Sequence, residues 1–164
     1  GIGPILEIID VLKVLNQTAD LPKDLQQKSL FLASQILELV GKAEPGTGMQ
    51  MAKSALDSKA ALKKFNEIIE SQGRKKVTLE PGKYKYQVKA LKSGKITFIN
   101  NKTTNLVGKA LGCPADNKAG IYLNKHSGAI VKQGEVIATL FAESKDKLKD
   151  GIGYLENNHP IHIS

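Results

Sequence analysis

Few side chains in this chain can do chemistry near neutral pH. The three histidines are His126, His159 and His162. His159 and His162 lie three residues apart near the end of the chain, but two histidines alone do not make a zinc site, which takes three or four ligands. His126 follows Lys125 in an apparent turn, where a solvated side chain is the usual outcome. We therefore expect no metal site.

The single cysteine, Cys113, cannot form an internal disulfide bond and has no partner spaced for zinc. We expect it to be a small, partly buried side chain. Nucleophile elbows, H-E-x-x-H, C-x-x-C and phosphate-loop sequences are all missing from the chain. The residues alone thus predict no catalytic, substrate-binding or metal-binding residue and no cofactor.

One glycine-rich segment, Gly46-Thr47-Gly48, precedes a helical pattern at 49–56. Glycine-rich loops before a helix can bind phosphate through backbone amides. However, this segment matches neither the phosphate-loop nor the dinucleotide fingerprint, and no strand precedes it. A plain connection between two helices is the better interpretation.

The net charge of +8 comes from one region. Residues 74–109 contain 10 Lys or Arg and only one acidic residue, Glu80, whereas the flanking regions are nearly balanced. A basic segment can attract nucleic acid or phosphate. Aromatic residues alternate with these lysines only at Tyr84 and Tyr86, which falls short of the interleaving typical of single-strand binders, and lysines on exposed strands also prevent edge pairing. We therefore expect exposed strand faces and no nucleic-acid partner.

The chain has 164 residues and 41% hydrophobic content, which is enough for one hydrophobic core or two small ones. No apolar run approaches the roughly 18 residues of a membrane span, and the first residues lack the pattern of a signal peptide. The chain is therefore expected to be cytoplasmic. Because it opens directly into a strong helix without an initiator methionine, we also expect a fragment of a longer chain.

The first part of the chain predicts helices. Pro4 to Asn16 is apolar on nearly all sides, which implies burial against something large. Asp20 is expected to cap a second helix, and Ser58 is expected to cap a fourth helix through Gln72 with Ile68 among its inward residues. The predicted core face of the second helix consists of Leu25, Leu30, Phe31, Ile36, Leu37, Leu39 and Val40.

The later part predicts a small sheet-forming module. Short runs rich in Val, Ile, Tyr and Phe are separated by glycine-containing turns, with strands near 84–90, 94–100, 119–124, 129–131 and 135–142. Helices are predicted near 103–112 and from a Ser144 cap to about Asn157, and the end near 160–163 as an edge strand. The predicted fold class is α+β, with a helical segment at 1–73, a linker at 74–82 and a C-terminal module at 83–164.

The glycine-bounded strands look similar to those of biotinyl and lipoyl carrier domains, including the run Val131-Lys132-Gln133-Gly134-Glu135-Val136-Ile137. Those carriers present a modified lysine within Met-Lys-Met or Asp-Lys-Ala. No lysine here has either context. A carrier role is therefore not favoured, although a related barrel-sandwich geometry is expected.

A closer resemblance covers essentially the whole chain. Gly3-Pro4-Ile5-Leu6-Glu7 and the run from Lys64-Phe65 through Ile68-Ile69-Glu70-Ser71-Gln72-Gly73 resemble the second half of thymidine phosphorylases and AMP phosphorylases. The likeness continues through Gly82-Lys83-Tyr84, Gly94-Lys95-Ile96 and Gly134-Glu135-Val136. Of these, the Lys-Phe to Gln-Gly run is the most specific.

The resemblance implies reversible cleavage of a nucleoside or nucleotide with inorganic phosphate as co-substrate, giving a free base and a sugar-1-phosphate. In that family the phosphate loop and base-contacting residues precede the Gly-x-Gly-Pro motif, so no catalytic residue is carried over to this sequence. The expected parent is a thymidine phosphorylase, with an AMP phosphorylase or a non-enzymatic binding module as alternatives. The piece alone is expected to be inactive.

Seen through this resemblance, the apolar helix 5–15 should cover a central sheet supplied by preceding residues. Exposing it would be costly at about 25 cal/mol per Å² of apolar surface. The isolated chain should therefore dimerise or pack this helix against its own neighbours, and we predict self-association. The expected partners are the upstream part of the same polypeptide and a second subunit.

Overall fold

Turn signals and apolar runs organise the chain into six helices and six strands in a computed structural model that describes all 164 residues. Contacts group residues into two units. We call residues 1–8 and 79–164 the sheet unit and residues 9–78 the helical unit. The predicted domains at 1–73 and 83–164, with their linker at 74–82, stay a prediction. What the structure adds is that the first eight residues pack with the C-terminal half.

The helical unit holds most of the first four helices, which are joined by short turns. Their bounds are α1 Pro4–Asn16, α2 Lys23–Leu39, α3 Gly48–Asp57 and α4 Ala60–Ser71. Helix α1 begins in the sheet unit and ends in the helical unit. Its end is fixed there by Gln17, whose side-chain amide donates to the Leu56 carbonyl at 3.0 Å, and by Lys59, whose Nζ donates to the Asn16 carbonyl at 2.6 Å.

The sheet unit contains all six strands. The elements are β1 Tyr84–Lys89, β2 Gly94–Ile99, α5 Asn101–Leu111, β3 Gly120–Leu123, β4 Ile130–Val131, β5 Val136–Ala142, α6 Lys145–Asn158 and β6 Ile161–Ile163. They form two antiparallel three-stranded sheets, ordered β1-β5-β3 and β4-β2-β6, and neither is a closed barrel. The predicted α+β class is confirmed, and β6 is the edge strand that the sequence predicted.

A closed apolar core stabilises the sheet unit. Its largest fully buried side chains are Ile96, Val107, Leu111, Ile121, Val131 and Leu140. Burying one such side chain contributes about 1.5 to 3 kcal/mol. Helix α6 approaches this core through Gly151, where an added Cβ would lie 2.3 Å from Cδ2 of Leu111. The glycines that weaken the helical pattern of 145–157 therefore include one that close packing requires.

Residues 1–8 are attached to β3 by backbone pairing. The N–H groups of Ile2 and Ile121 each donate to the other's carbonyl at 2.8 Å, and the Ile5 N–H donates to the Asn117 carbonyl at 3.1 Å. Gly120 permits this close approach, because a Cβ there would lie 2.4 Å from the Ile2 carbonyl oxygen. Ile5 and Leu6 are buried as a result. The first turn of helix α1 is thus packed against residues of its own chain, whereas self-association stays a prediction.

Helix α2 buries only part of the face that its sequence predicted, since Leu25, Leu30 and Leu37 are half-buried. Phe31, Ile36, Leu39 and Val40 are exposed, and the one fully buried residue of the helix is Ser34. Ile68 of α4 is exposed as well. The apolar periodicity correctly indicates an amphipathic helix, but no other element of this chain covers the apolar side of α2.

Two predicted helix caps are wrong and one is confirmed. Asp20 caps nothing, because its carboxylate accepts from Thr18 and pairs with Lys13 at 2.6 Å, and α2 starts after Pro22 without a side-chain cap. Ser58 ends α3 instead of starting α4, which follows Lys59 in the left-handed region at φ 64°. Ser144 does cap α6, since its hydroxyl accepts from the Lys147 N–H at 3.1 Å.

Candidate functional site

The sheet unit has a groove of about 780 Å³ on its surface. It is lined by β1 and the turn after it, and by the end of α6 and β6. The apolar lining residues are Tyr86, Val88, Leu91, Ile137, Leu155, Pro160, Ile161 and Ile163. The polar lining residues are Gln87, Lys89, Lys92, Glu156, His159 and His162.

Two unpaired strand edges help to form the groove. Strand β1 is the outer strand of one sheet, and β6 is the outer strand of the other. An edge strand presents backbone N–H and C=O groups without a strand partner on one side. The chain reaches β6 by ending α6 at His159, which adopts the left-handed conformation at φ 41° and whose N–H donates to the Leu155 carbonyl at 2.9 Å. Pro160 follows and cannot continue a helix.

His159 and His162 are brought together in this groove with Glu156, although all three side chains are exposed. The His162 ring lies 5.8 Å from the Phe98 ring, centroid to centroid. No group of three or more His, Cys, Asp or Glu side chains is arranged to hold a metal ion. His126 lies elsewhere, exposed in the turn before β4, where its carbonyl accepts from the Ala129 N–H at 3.1 Å. The three histidines therefore do not converge on one site.

Cys113 is half-buried, which confirms its predicted environment. Its Sγ donates to the Ala119 carbonyl at 3.0 Å. Burial raises the pKa of the Cys113 thiol, and the nearby carboxylates of Asp116 and Glu7 raise it further. Because the thiolate is the nucleophilic form, this cysteine is poorly reactive at neutral pH.

The glycine-rich segment 46–48 connects α2 to α3, as the sequence predicted. The carboxylate of Glu38 accepts a hydrogen bond from the Gly48 N–H at 2.9 Å, at the start of α3. The Thr47 hydroxyl donates to the Glu44 carbonyl at 2.8 Å. An anion supplied by the chain itself thus already occupies the position where a helix N-terminus would attract phosphate.

The basic segment is spread over exposed surface, as predicted. Lys83, Lys85, Lys89, Lys92 and Lys95 are all exposed, on or beside β1 and β2. Arg74, Lys75 and Lys76 lie in a segment that has no helix or strand. Only Lys89 and Lys92 contribute to the groove. The charge excess therefore forms no single enclosed anion site.

The one carboxylate of the sheet unit with a lowered pKa stabilises a turn. Glu135 accepts from the Lys125 ammonium at 2.7 Å and from the Lys132 N–H at 2.9 Å. The Lys125 hydrogen bond, followed by the backbone one, holds the pKa of this carboxyl below its usual value. These contacts close the turn between β4 and β5, so the role of Glu135 is structural.

These features describe two units: an α+β module with two open three-stranded sheets and an apolar groove at their edges, and a set of four helices. Residues 95–162 match the family model described as "Pyrimidine nucleoside phosphorylase C-terminal domain". This match confirms, over these residues, the sequence resemblance to the pyrimidine nucleoside and AMP phosphorylases.

Curated relatives match nearly the whole chain. The AMP phosphorylase of Methanococcus aeolicus is 36% identical over 166 residues, covering 99% of this chain and 33% of that protein. The protein named "Putative thymidine phosphorylase" from Legionella pneumophila strain Corby is 39% identical over 163 residues, covering 99% of this chain and 31% of that protein. The chain thus spans about a third of the length of these relatives and corresponds to their C-terminal portion.

Sequence reasoning missed the groove because it depends on which strands lie at sheet edges. Local signals for its parts were present: the lysines and tyrosines of β1, and Pro160 just before a short apolar run. Nothing in the local sequence says that these two segments line one cavity. Pairing between distant strands decides that.

Proposed function

We propose that this chain is the C-terminal portion of a thymidine phosphorylase, which converts a nucleoside and inorganic phosphate to a free base and a sugar-1-phosphate. The phosphate- and base-binding groups then lie in residues that precede Gly1. In this proposal the piece supports the catalytic part and is inactive alone.

The observation that carries the proposal is the similarity along 99% of the chain to phosphorylases three times as long. The geometry is consistent with a supporting role. Phosphorolysis needs cationic groups and backbone amides converging on phosphate and on a developing oxocarbenium ion. In this chain the helix start after the glycine-rich segment is taken by Glu38, and the lysines of β1 and β2 point to an open surface.

The test is a phosphorolysis assay on two samples: the complete polypeptide encoded by the gene and this 164-residue chain. We expect release of free base by the complete polypeptide, and less than about 1% of that rate from the chain alone. The variants Lys89→Met and His162→Asn, made in the complete polypeptide, should keep activity within about twofold. Base release by the 164-residue chain, or inactivity of the complete polypeptide with every nucleoside tried, would overturn the proposal.

The substrate is proposed as thymidine, with AMP as the alternative. Relatives carrying either name are similarly close, at 39% and 36% identity. Assays with thymidine, uridine and AMP at equal concentration separate these alternatives. Faster phosphorolysis of AMP than of thymidine would assign the parent to the nucleotide-cleaving branch.

We also propose a cytoplasmic, homo-oligomeric parent that needs no cofactor besides phosphate. None of the helices combines the length and apolar character needed to cross a bilayer. Sedimentation of the complete polypeptide tests the oligomeric state, and a single species at the mass of one subunit would contradict it.

A non-enzymatic binding module is the second candidate, and the exposed lysines of residues 83–95 are the observation that favours it. Titration with single-stranded oligonucleotide at two salt concentrations distinguishes the two. Tight binding that weakens steeply with salt would support the module, because released counterions drive such binding. We expect no binding beyond a weak electrostatic background.

A further inference from the structure

One side of helix α2 is apolar and uncovered. Its members are Phe31, Leu32, Ile36 and Leu39, together with Val40 at the C-cap, and we call these five residues the α2 face. Their side chains are between 49% and 85% exposed. At 3.6 residues per turn these positions fall on about half of the helix circumference. The exposed polar residues that share this half are Asp24, Lys28, Ser29 and Gln35.

The other side of α2 is committed to α3. Ser34 is 2% exposed, and its carbonyl oxygen would lie 2.4 Å from a Cβ added to Gly48. The Glu38 carboxylate reaches the Gly48 N–H from the same helix. Because a glycine and a buried serine fix this close packing, α2 cannot turn its apolar side inward without losing these contacts.

An apolar half of this kind is typical of a helix that packs on both sides. A helix facing water would carry charged residues all along that half, and this one carries only Asp24 and Lys28, both in its first two turns, among ten residues. Contiguous exposed apolar surface on a soluble protein usually marks an interaction site.

We propose that the α2 face is covered by the part of the same polypeptide that precedes Gly1. The proposal rests on the proposed function, in which this chain is a C-terminal portion. The relatives are about three times as long as this chain, so ample sequence is available to cover the face.

The size of the α2 face favours a segment of the same polypeptide over a second copy of the chain. A stable interface between separate proteins takes about 800 Å² and roughly 20 to 30 residues from each partner. Five side chains on one helix are far fewer. A covalently linked segment does not lose the translational and rotational freedom that separate partners lose on binding, so a small apolar face suffices.

Cysteine labelling of the complete polypeptide tests the proposal. Leu39→Cys places a thiol at the centre of the α2 face, and the matched control Ile130→Cys places one at an equally exposed apolar position of the sheet unit, 80% exposed against 85%. Alkylation by a maleimide is followed by peptide mass, so the native Cys113 can remain. We expect Leu39→Cys to react at least tenfold more slowly than Ile130→Cys in the complete polypeptide, and at a similar rate in the 164-residue chain.

Several outcomes would overturn the proposal. One is equal labelling of both cysteines in the complete polypeptide. Another is slow labelling of Leu39→Cys in the 164-residue chain that becomes fast on dilution, which would assign the face to a second copy. A gene that encodes no residues before Gly1 would also overturn it. Leu32→Cys provides a second probe of the face if Leu39→Cys fails to fold.

Phosphorolysis measured on the same samples separates this proposal from the proposed function. An active polypeptide in which Leu39→Cys labels quickly overturns the covered face and leaves the enzymatic role standing. An inactive polypeptide in which Leu39→Cys labels slowly overturns the enzymatic role and leaves the covered face standing.

Discussion

The two units of the chain bury their apolar residues to different degrees. In the sheet unit, strands β2, β3 and β5 enclose side chains such as Ile96, Ile121 and Leu140 that have almost no contact with water. In the helical unit, the buried apolar residues are few and mostly small, whereas α2 leaves Leu39 and its neighbours exposed. The sheet unit thus has a complete apolar core, whereas the helical unit leaves the apolar side of α2 exposed to water.

This difference teaches how a chain can be well structured and still incomplete in its packing. Secondary structure depends on local propensity and backbone hydrogen bonds, which both units satisfy. Tertiary stability depends on apolar area removed from water, which the helical unit has achieved on one side of α2 only. Our proposal that preceding residues of the same polypeptide cover the α2 face would account for this difference.

The largest expected effect contrasts one leucine in each unit. Leu140→Ala removes a fully buried side chain from the sheet core and should lower the free energy of unfolding by about 2 to 5 kcal/mol. Leu39→Ala in this chain should change it by less than about 0.5 kcal/mol, because that side chain is exposed. Urea unfolding measures both, and a comparable loss for the two variants would abolish the contrast between the units.

Two glycines test how residues 1–8 are attached to the sheet unit. Gly120→Ala should destabilise the chain by about 1 to 3 kcal/mol, because its Cβ would lie 2.4 Å from the Ile2 carbonyl oxygen, a backbone atom that must then move. In the control Gly153→Ala the added Cβ meets nothing within 4 Å, and α6 should gain about 0.5 to 1 kcal/mol. Thermal unfolding compares the pair. If both variants gain stability, the pairing of Ile2 with Ile121 contributes nothing.

Two serines that the sequence predicted as helix caps should behave differently. Ser144→Ala removes the hydroxyl that accepts from the Lys147 N–H and should lower the free energy of unfolding by about 1 kcal/mol. Ser58→Ala removes a hydroxyl that bonds only within the end of α3, so a change below about 0.5 kcal/mol is expected. Chemical denaturation resolves the two, and equal losses would restore Ser58 as a cap.

The smallest effect concerns Glu135 and depends on pH. Its folded-state pKa is lowered, chiefly by the hydrogen bond from Lys125, so its contribution to stability is present above the unfolded pKa of about 4.3. That contribution is lost as the pH falls through the lower folded-state pKa. Glu135→Gln should therefore unfold at a lower temperature than the parent at pH 7 and at a similar temperature near pH 2. Glu80→Gln is the exposed control, and a Glu135→Gln deficit that persists undiminished at acid pH would contradict the ion-pair explanation.

The elements of the sheet unit were predicted well from the sequence because the turns and helix ends between them require glycine or proline. Gly134 adopts φ +82° and Gly112 adopts φ +121°, conformations that other residues rarely take. The Ser144 cap could be predicted because its hydroxyl bonds a backbone N–H only three residues along the chain. Asp20 and Ser58 misled because a capping residue type says nothing about competing partners such as Lys13 or the Ser54 carbonyl.

The burial of α2 and the groove could not be predicted because both depend on contacts between distant residues. Periodicity identified the side of α2 that favours burial, but it cannot say whether a covering element is present. The groove needs β1 and β6 at the edges of two separate sheets, and strand order is not written in either segment. Hence the family resemblance, and not local pattern, pointed to the function.

Hydrogen exchange of the 164-residue chain, read amide by amide, tests the central contrast most directly. Amides in closed cores exchange only through large openings, whereas elements with little buried surface open locally. We predict that amides of β3 and β5 exchange at least about a hundredfold more slowly than those of α2. Equal protection of α2 and β5 would contradict the account, because it would mean that the helical unit is as fully packed as the sheet unit.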